Sequence, residues 1–228
     1  MENSGLNVTL FDLDHTLLAG DSDYLWGRFL VDEGVVEAEH YARENERFNA
    51  QYEAGSMDIH AYQRFALAPL LAHPLERMHD LRHDYVERIV RPIVARHAEA
   101  LIAHHRERGD AIAIITATNR FITEPIAELL GIDALIATDP EIVDGAYTGE
   151  IAGVPSFQDG KITRAIDWVA AQPQPFEHVT FYSDSHNDLP LLRWADTAVA
   201  VDPDDRLAAA AHEAGWLVIS LRGETRPF

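Results

Sequence analysis

Short β-branched or apolar runs recur along the chain at Val8–Phe11, Ala111–Ile115, Ala134–Ile136, Val179–Tyr182, Thr197–Val201 and Trp216–Ile219. They alternate with stretches of helical periodicity, and alternation of this kind predicts a parallel sheet covered by helices. Pro92 sits near the start of a helical segment that ends at Gly109, and Thr123 with Pro125 opens one that stops at Gly131. Asp159 is placed to cap a third, which carries Ile162, Ala165, Ile166 and Val169 on one face. The right-handed crossover rule stacks these units into an α/β, doubly wound parallel sheet.

From about Ser22 to Arg91 the rhythm breaks. Tyr24, Leu25, Phe29 and Leu30, then Tyr62, Phe65 and Leu70, then Leu81, Tyr85 and Ile89 form successive helical patterns with no convincing strand. This predicts a helical insertion after the first strand. Between Glu141 and Gly153, apolar residues alternate around Asp144-Gly145 and Thr148-Gly149, a hairpin signal.

With 228 residues, 47% of them hydrophobic, the chain can build a real core, as one large domain or a main domain with a smaller insertion. Its formal charge of −20 argues against nucleic acid or an anionic membrane as a partner. An anionic substrate would be repelled by that field, so its site must supply local positive charge from a lysine, a helix N-terminus or a metal. The absence of cysteine removes disulfides, zinc–thiolate sites and thiol nucleophiles. Met1–Ser4 lack the basic start of a signal peptide, and no apolar run is long enough to span a bilayer, so a cytoplasmic location is expected.

Candidate chemistry gathers at the predicted carboxyl ends of the strands, where open α/β sheets bind ligands. The first strand ends in Asp12-Leu13-Asp14. If the chain turns after Asp12, both carboxylates point into one crevice, where their pKa values split or a divalent cation neutralises one of them. Thr116-Ala117-Thr118-Asn119 follows the second strand, Lys161 lies in the first turn of a helix, and Ser183-Asp184-Ser185-His186-Asn187-Asp188 follows a later strand. Four carboxylates, an amine and a hydroxyl at one edge suit phosphoryl transfer, in which catalysis is largely positioning and charge stabilisation. An all-oxygen donor set favours Mg2+. One carboxylate can attack phosphorus, and a second, protonated one can serve the leaving alcohol.

In order and spacing these four clusters resemble the motifs of the haloacid dehalogenase-like hydrolases: Asp12-Leu13-Asp14-His15-Thr16-Leu17, Thr116, Lys161, and Asp184-Ser185-His186-Asn187-Asp188. The resemblance implies a Rossmann-like core over 1–20 and 92–228, with a helical cap over 21–91. It makes Asp12 the nucleophile and Asp14 the acid/base, with Thr116, Ala117 and Lys161 on the phosphate. Asp12, the Asp14 carbonyl and Asp184 would ligate Mg2+, supported by Asn187 and Asp188. Ser183 stands where relatives often have Gly, a departure that bears on local backbone shape. Asp14 speaks against the dehalogenase branch, whose chemistry needs no proton donor there.

The helical insertion looks like the cap of the branch that holds phosphoserine phosphatases and some histidinol-phosphate phosphatases, so specificity is expected within it. Asp21 and Asp23 follow Asp12 at about the distance where phosphoserine phosphatases place an acid for the substrate ammonium; helix N-capping is the plainer reading. Those enzymes carry an Arg just before a Leu-Leu pair for the substrate carboxylate. Aligning Leu70-Leu71 puts Leu67 in that place, with Arg64 one helical turn earlier. The pattern therefore favours a phosphatase for an amino alcohol phosphate such as histidinol phosphate, with phosphoserine as the alternative. A phosphotransferase and a non-catalytic phosphate-binding relative are the further rivals. His79 and His83, and His104 and His105, read as surface residues, whereas His15 and His186 fall at the mouth of the expected site.

Overall fold

The computed structural model describes residues 6–172 and 176–228; Met1–Ser4, read above for a signal sequence, lie outside them. Seven strands, β1 (Leu6–Phe11), β2 (Ala111–Asn119), β3 (Ala134–Val143), β4 (Ala146–Ala152), β5 (Phe176–Ser183), β6 (Thr197–Val201) and β7 (Leu217–Ile219), form one sheet in the order β4-β3-β2-β1-β5-β6-β7. All neighbours are parallel except β3 and β4. The central strands are apolar almost throughout because their side chains alternate between two covered faces, whereas β4 at the edge is largely exposed. Val8, Leu10, Ala113, Ile115 and Phe181 pack on one side beneath α7 (Asp159–Ala170), α8 (Leu189–Trp194) and α9 (Asp205–Ala214). Phe11, Ile114 and Tyr182 pack on the other, beneath α5 (Ala98–Glu107) and α6 (Arg120–Leu129). With β1 between β2 and β5, the chain order reverses at β1, which places the ligand crevice at its carboxyl end.

The insertion is helical throughout: α1 (Ser22–Asp32), α2 (Ala38–Ala54), α3 (Ile59–Ala72) and α4 (Leu75–Tyr85), running on through further helical turns to Ile93. Its two stems lie side by side, with Ala19 N–H donating to Ile93 O (2.6 Å) and Ala95 N–H to Leu17 O (2.8 Å). The four helices do not share one fate. Trp26 and Phe29 of α1 and Met78 and Tyr85 of α4 are buried in the same apolar cluster as Phe11 and Phe121. In α2 and α3, Tyr41, Phe48, Tyr62 and Phe65 stack on one another over the carboxyl edge of the sheet, while Leu67 and Leu70 of α3 join that apolar cluster.

Several local expectations change in three dimensions. The segment after Pro92 begins as a 3-10 turn, and α5 starts only at Ala98. Thr123 and Pro125 lie inside α6, which begins at Arg120 because β2 runs directly into it; the Thr123 hydroxyl donates to Asn119 O. Asp159 is the first residue of α7 and caps nothing with its side chain. The expected strand at Ala134–Ile136 and the first arm of the hairpin are one strand, β3, which turns at Asp144-Gly145. His105 is buried, not superficial: its ring bonds Asp110 (2.7 Å), Thr9 (3.0 Å) and the Tyr182 hydroxyl (2.9 Å) under the sheet. No described helix is long and apolar enough to cross a membrane.

Candidate active site

β1 carries Asp12 to the middle of the carboxyl edge, where its backbone N–H donates to Tyr182 O of β5 (2.9 Å). The chain then folds back through Leu13–Leu17, closed by Leu18 N–H on Leu13 O (3.0 Å), with His15 at φ +56°. A non-glycine residue in the left-handed region is costly, and such strain gathers at functional turns. The turn brings Asp14 to the same cavity as Asp12. Asp14 is held from two sides, accepting Ser22 N–H (2.6 Å) on one oxygen and the Thr118 hydroxyl (2.8 Å) on the other.

Lys161, in the first turn of α7, reaches under the loop that carries Asp12. Its Nζ donates to Asp12 Oδ1 (2.7 Å) and Asp188 Oδ2 (2.6 Å), and it is 3% exposed. The first turn of α7 passes so close to the preceding loop that a Cβ on Gly160 would stand 2.1 Å from Pro155 O; only glycine fits there. Ser183, the departure from the family pattern, has a use: its hydroxyl donates to Asp188 Oδ2 (2.7 Å) and accepts Ser185 N–H (3.1 Å). Thr16 ties two motifs together, donating to Asp184 Oδ1 (3.1 Å) and approaching Asp12 Oδ2 (3.4 Å), while accepting Asp184 N–H (3.0 Å).

Electrostatics follow from burial. Loss of water raises the Asp12 carboxyl against the pull of Lys161, and raises Asp184 well above its usual range with help from the charges of Asp12 and Asp188. Asp188 is pushed up to about 6 by burial, again against Lys161. Asp14 is likewise pushed up to about 6, by burial first and the Asp21 charge second. Burial alone would lower Lys161, but the carboxylates of Asp12 and Asp188 raise it, so it stays charged.

Four carboxylates thus face one ammonium, an excess of negative charge that a cation would relieve. Among the described residues no three Asp, Glu or His side chains converge on one point. Two carboxylates, Asp12 and Asp184, do come within reach of one hydroxyl, and Mg2+ commonly takes one or two carboxylates and completes its octahedron with water and substrate oxygens. The oxygen-only donor set fits that ion.

Thr116 (1% exposed), Ala117 and Thr118 line the same cavity beside Asp12 and Asp14. Helices α2 and α3 roof the cavity with Asn45, Phe48, Tyr52 and Tyr62. Three side-chain amides tie this roof to the core: Asn187 Nδ2 donates to Tyr52 O (3.1 Å), Gln158 Nε2 to Gly55 O (3.4 Å) and Gln63 Nε2 to Ala117 O (3.4 Å). Gln158 does so from a strained backbone at φ +48° and also bonds Asn187 Oδ1 (3.1 Å). Asp21 caps α1 by accepting the N–H groups of Asp23 and Tyr24, and both Asp21 and Asp23 line the cavity. Arg64 does not enter it; it is exposed and pairs with Glu150 of β4 at 3.3 Å. His15 lines the cavity and His186 its outer extension, as expected at a mouth, while His79 and His83 are exposed.

Of the sequence-derived site residues, the fold gathers Asp12, Asp14, Thr116, Ala117, Lys161, Asp184, Asn187, Asp188, Asp21 and Asp23, and leaves Arg64 aside. Sequence reasoning missed Thr16, Thr118, Ser22, Gln158 and the roof residues. Thr16 and Thr118 stand inside the quoted motifs, so proximity was a signal for them; the roof residues carried none.

Comparisons with known proteins identify the family. The family model described as haloacid dehalogenase-like hydrolase matches residues 9–193. A histidinol-phosphatase of Neisseria meningitidis is 39% identical over 95% of this chain and 99% of its own length. A phosphoserine phosphatase of Mycobacterium tuberculosis is 30% identical over 94% of this chain and 71% of its own. Among solved structures, a Bordetella pertussis protein of unknown function superposes with a TM-score of 0.89 at 38% identity, covering 95% of this chain and 99% of that one.

Proposed function

The chain belongs to the haloacid dehalogenase-like hydrolases, a phosphomonoester hydrolase among them, and from that premise we propose that it is a Mg2+-dependent phosphatase working through an aspartyl-phosphate on Asp12. The observation that carries the mechanism is the pairing of a lysine-held carboxylate, Asp12, with a second carboxyl, Asp14, whose pKa near 6 suits proton exchange at neutral pH.

Asp12 attacks phosphorus: an Oδ–P bond forms, the ester P–O bond breaks, and the leaving alcohol oxygen takes the proton of Asp14. Asp14, now ionised, accepts a proton from water as the water oxygen attacks the phosphoryl group. The Asp12–phosphate bond breaks, releasing inorganic phosphate and restoring both groups. Thr116 and the backbone at Ala117 receive phosphate oxygens, and Lys161 neutralises charge beside Asp12. Asp188 and Asn187 support it, Asp188 by fixing Lys161 and Asn187 by holding the roof. The carboxylates of Asp12 and Asp184 and the carbonyl of Asp14 would hold Mg2+, which would supply positive charge beside the phosphate. The stretch 21–91 serves as the cap, and α2 and α3 exclude water from above.

The substrate is a small amino alcohol phosphate, histidinol phosphate foremost. Asp21 offers negative charge to an ammonium, Asp23 lines the same cavity, and no Lys or Arg is found among the described residues lining its inner part to receive a carboxylate, Arg206 and Arg222 lining only the outer extension. The identity to a histidinol-phosphatase over nearly its full length supports the same reading. The location consistent with such a metabolite is the cytoplasm. The test is a steady-state comparison of histidinol phosphate with O-phosphoserine, with and without Mg2+, in wild type and Asp12→Asn. Histidinol phosphate is expected to lead in kcat/KM by at least a hundredfold, with no turnover in the variant. A lead for phosphoserine overturns the substrate, and turnover by Asp12→Asn overturns the covalent mechanism.

A further inference from the structure

The roof and floor of the cavity divide it into two ends of different character. At one end the Tyr52 hydroxyl feels, after burial itself, the charges of Asp12, Asp188 and Asp184. At the other the Tyr62 hydroxyl feels Asp23 first and Asp21 second, and Tyr41 feels Asp23. Asp14 accepts Ser22 N–H (2.6 Å) and Asp21 accepts Asp23 N–H (2.9 Å), so the start of α1 carries the cavity wall on from Asp14 to Asp21 and Asp23. A phosphate seated at Asp12 would therefore lead past Asp14 and Asp21 to Asp23.

The Tyr62 hydroxyl is one partner of the Asp23 carboxyl, and one carboxylate oxygen is left over. Asp23 is 6% exposed and lines the cavity, yet among the described residues its Oδ2 has no hydrogen-bond partner. Helix capping does not explain it, because Asp21 already takes the free N–H groups at the start of α1. A buried carboxylate oxygen left unpaired costs about 1–3 kcal/mol or more, and such a group in a cleft marks a place where a ligand completes the bonding. Around it stand Tyr62 and Phe48, whose rings meet 5.2 Å apart in a T-shape, and Asn45, fixed by its bond to Tyr24 O (3.0 Å). Flat aromatic walls with one buried acid suit a flat ring that carries an N–H donor.

Building on the proposed phosphatase activity, we infer that Asp23, with Tyr62 and Phe48, forms a distal subsite for a second nitrogen, borne on a planar heteroaromatic ring, at the end of the substrate away from the phosphate. Asp21 serves the ammonium near the ester; Asp23 selects the ring.

The experiment compares three esters, histidinol phosphate, phenylalaninol phosphate and O-phosphoethanolamine, on wild type, Asp23→Asn and Asp21→Asn. The second keeps the ammonium and an apolar ring, and the third has no ring. Asp23→Asn is expected to cut kcat/KM for histidinol phosphate at least tenfold more than for either of the others, mainly through KM, and Asp21→Asn to weaken all three. Equal losses on all three esters with Asp23→Asn, or a wild type that prefers phenylalaninol phosphate, overturn the subsite. Binding keeps this apart from turnover: histidinol phosphate should raise the Tm of Asp12→Asn protein, and Asp12→Asn/Asp23→Asn should lose that rise. If wild type hydrolyses none of the esters while the Asp23-dependent rise persists, the phosphatase reading falls and the subsite stands. Without the rise the subsite falls, whatever the turnover.

Discussion

Lys161 is the only ammonium against the buried carboxylates of Asp12 and Asp188, so replacing it by the isosteric but neutral methionine should expose what holds this acidic floor together. Its contacts of 2.7 and 2.6 Å are each worth about 6 kcal/mol of attraction at an effective dielectric of 20. Stripping water from the ammonium offsets several kcal/mol of that sum, and removing one partner of a buried ion pair costs about 3–5 kcal/mol in practice. The loss is bounded because the stranded carboxylates can protonate. Both already have folded-state pKa values raised above the unfolded value, so the folded state binds more protons and stability falls as pH rises through that window. Without Lys161 the shift grows and the slope steepens. We expect Lys161→Met to lower stability by about 3–5 kcal/mol at pH 7.5 and by clearly less at pH 5.5, and Lys161→Met/Asp188→Asn to recover about 2 kcal/mol. Urea unfolding followed by tryptophan fluorescence reads all of these. A variant within 1 kcal/mol of wild type at pH 7.5, or a deficit that is the same at both pH values, would refute the reasoning.

Three further outcomes follow from the same geometry. Asp14, pushed up to about 6, must be protonated to serve an alkyl leaving group; the first-turnover rate on an alkyl ester should fall above about pH 6, whereas p-nitrophenyl phosphate, whose leaving group needs no proton, should show no such fall in a stopped-flow burst. Gly160→Ala forces a Cβ against Pro155 O and must displace the first turn of α7; about 1–3 kcal/mol of stability and roughly a hundredfold in kcat should be lost, and unaltered kinetics would show that Lys161 does not depend on this approach. Asp184→Asn removes a penalised buried charge while keeping an acceptor for Thr16, so the metal-free protein should gain about 1 kcal/mol or more in urea as Mg2+ ceases to raise its Tm; a Mg2+ shift equal to that of wild type would remove Asp184 from the metal site.

Much of the candidate site was legible in the chain, because Asp12, Thr116 and Asp184 each sit one or two residues past an apolar run that the sheet must bury, whereas Lys161 arrives from the start of α7. Asp12, Thr116 and Asp184 follow β-branched or aromatic strands closely enough that parallel pairing alone brings them to one edge. Local boundaries were less legible. Thr123 and Pro125 are good first-turn residues, yet α6 begins at Arg120 because β2 continues to Asn119 and leaves no room for a loop. His105 looked superficial beside His104, and is buried because Thr9, Asp110 and Tyr182, far apart in sequence, offer its ring partners under the sheet.

The helical stretch marks the boundary between the two kinds of knowledge. Periodicity established that 22–91 is helical, since the repeat of apolar residues is a local property. Which helices belong to the core and which roof the site is not local: α1 and α4 are bound to the sheet through Trp26 and Tyr85, α3 joins the same core through Leu67 and Leu70 while its first turns roof the site, and the roof is tied down by amides on Gln63, Gln158 and Asn187. Likewise, sequence supplied the acids at 21 and 23 but not their division of labour. Only the packed structure gives Asp21 the helix cap and leaves Asp23 buried with an oxygen unpaired, because whether a polar atom is satisfied depends on everything the fold brings around it.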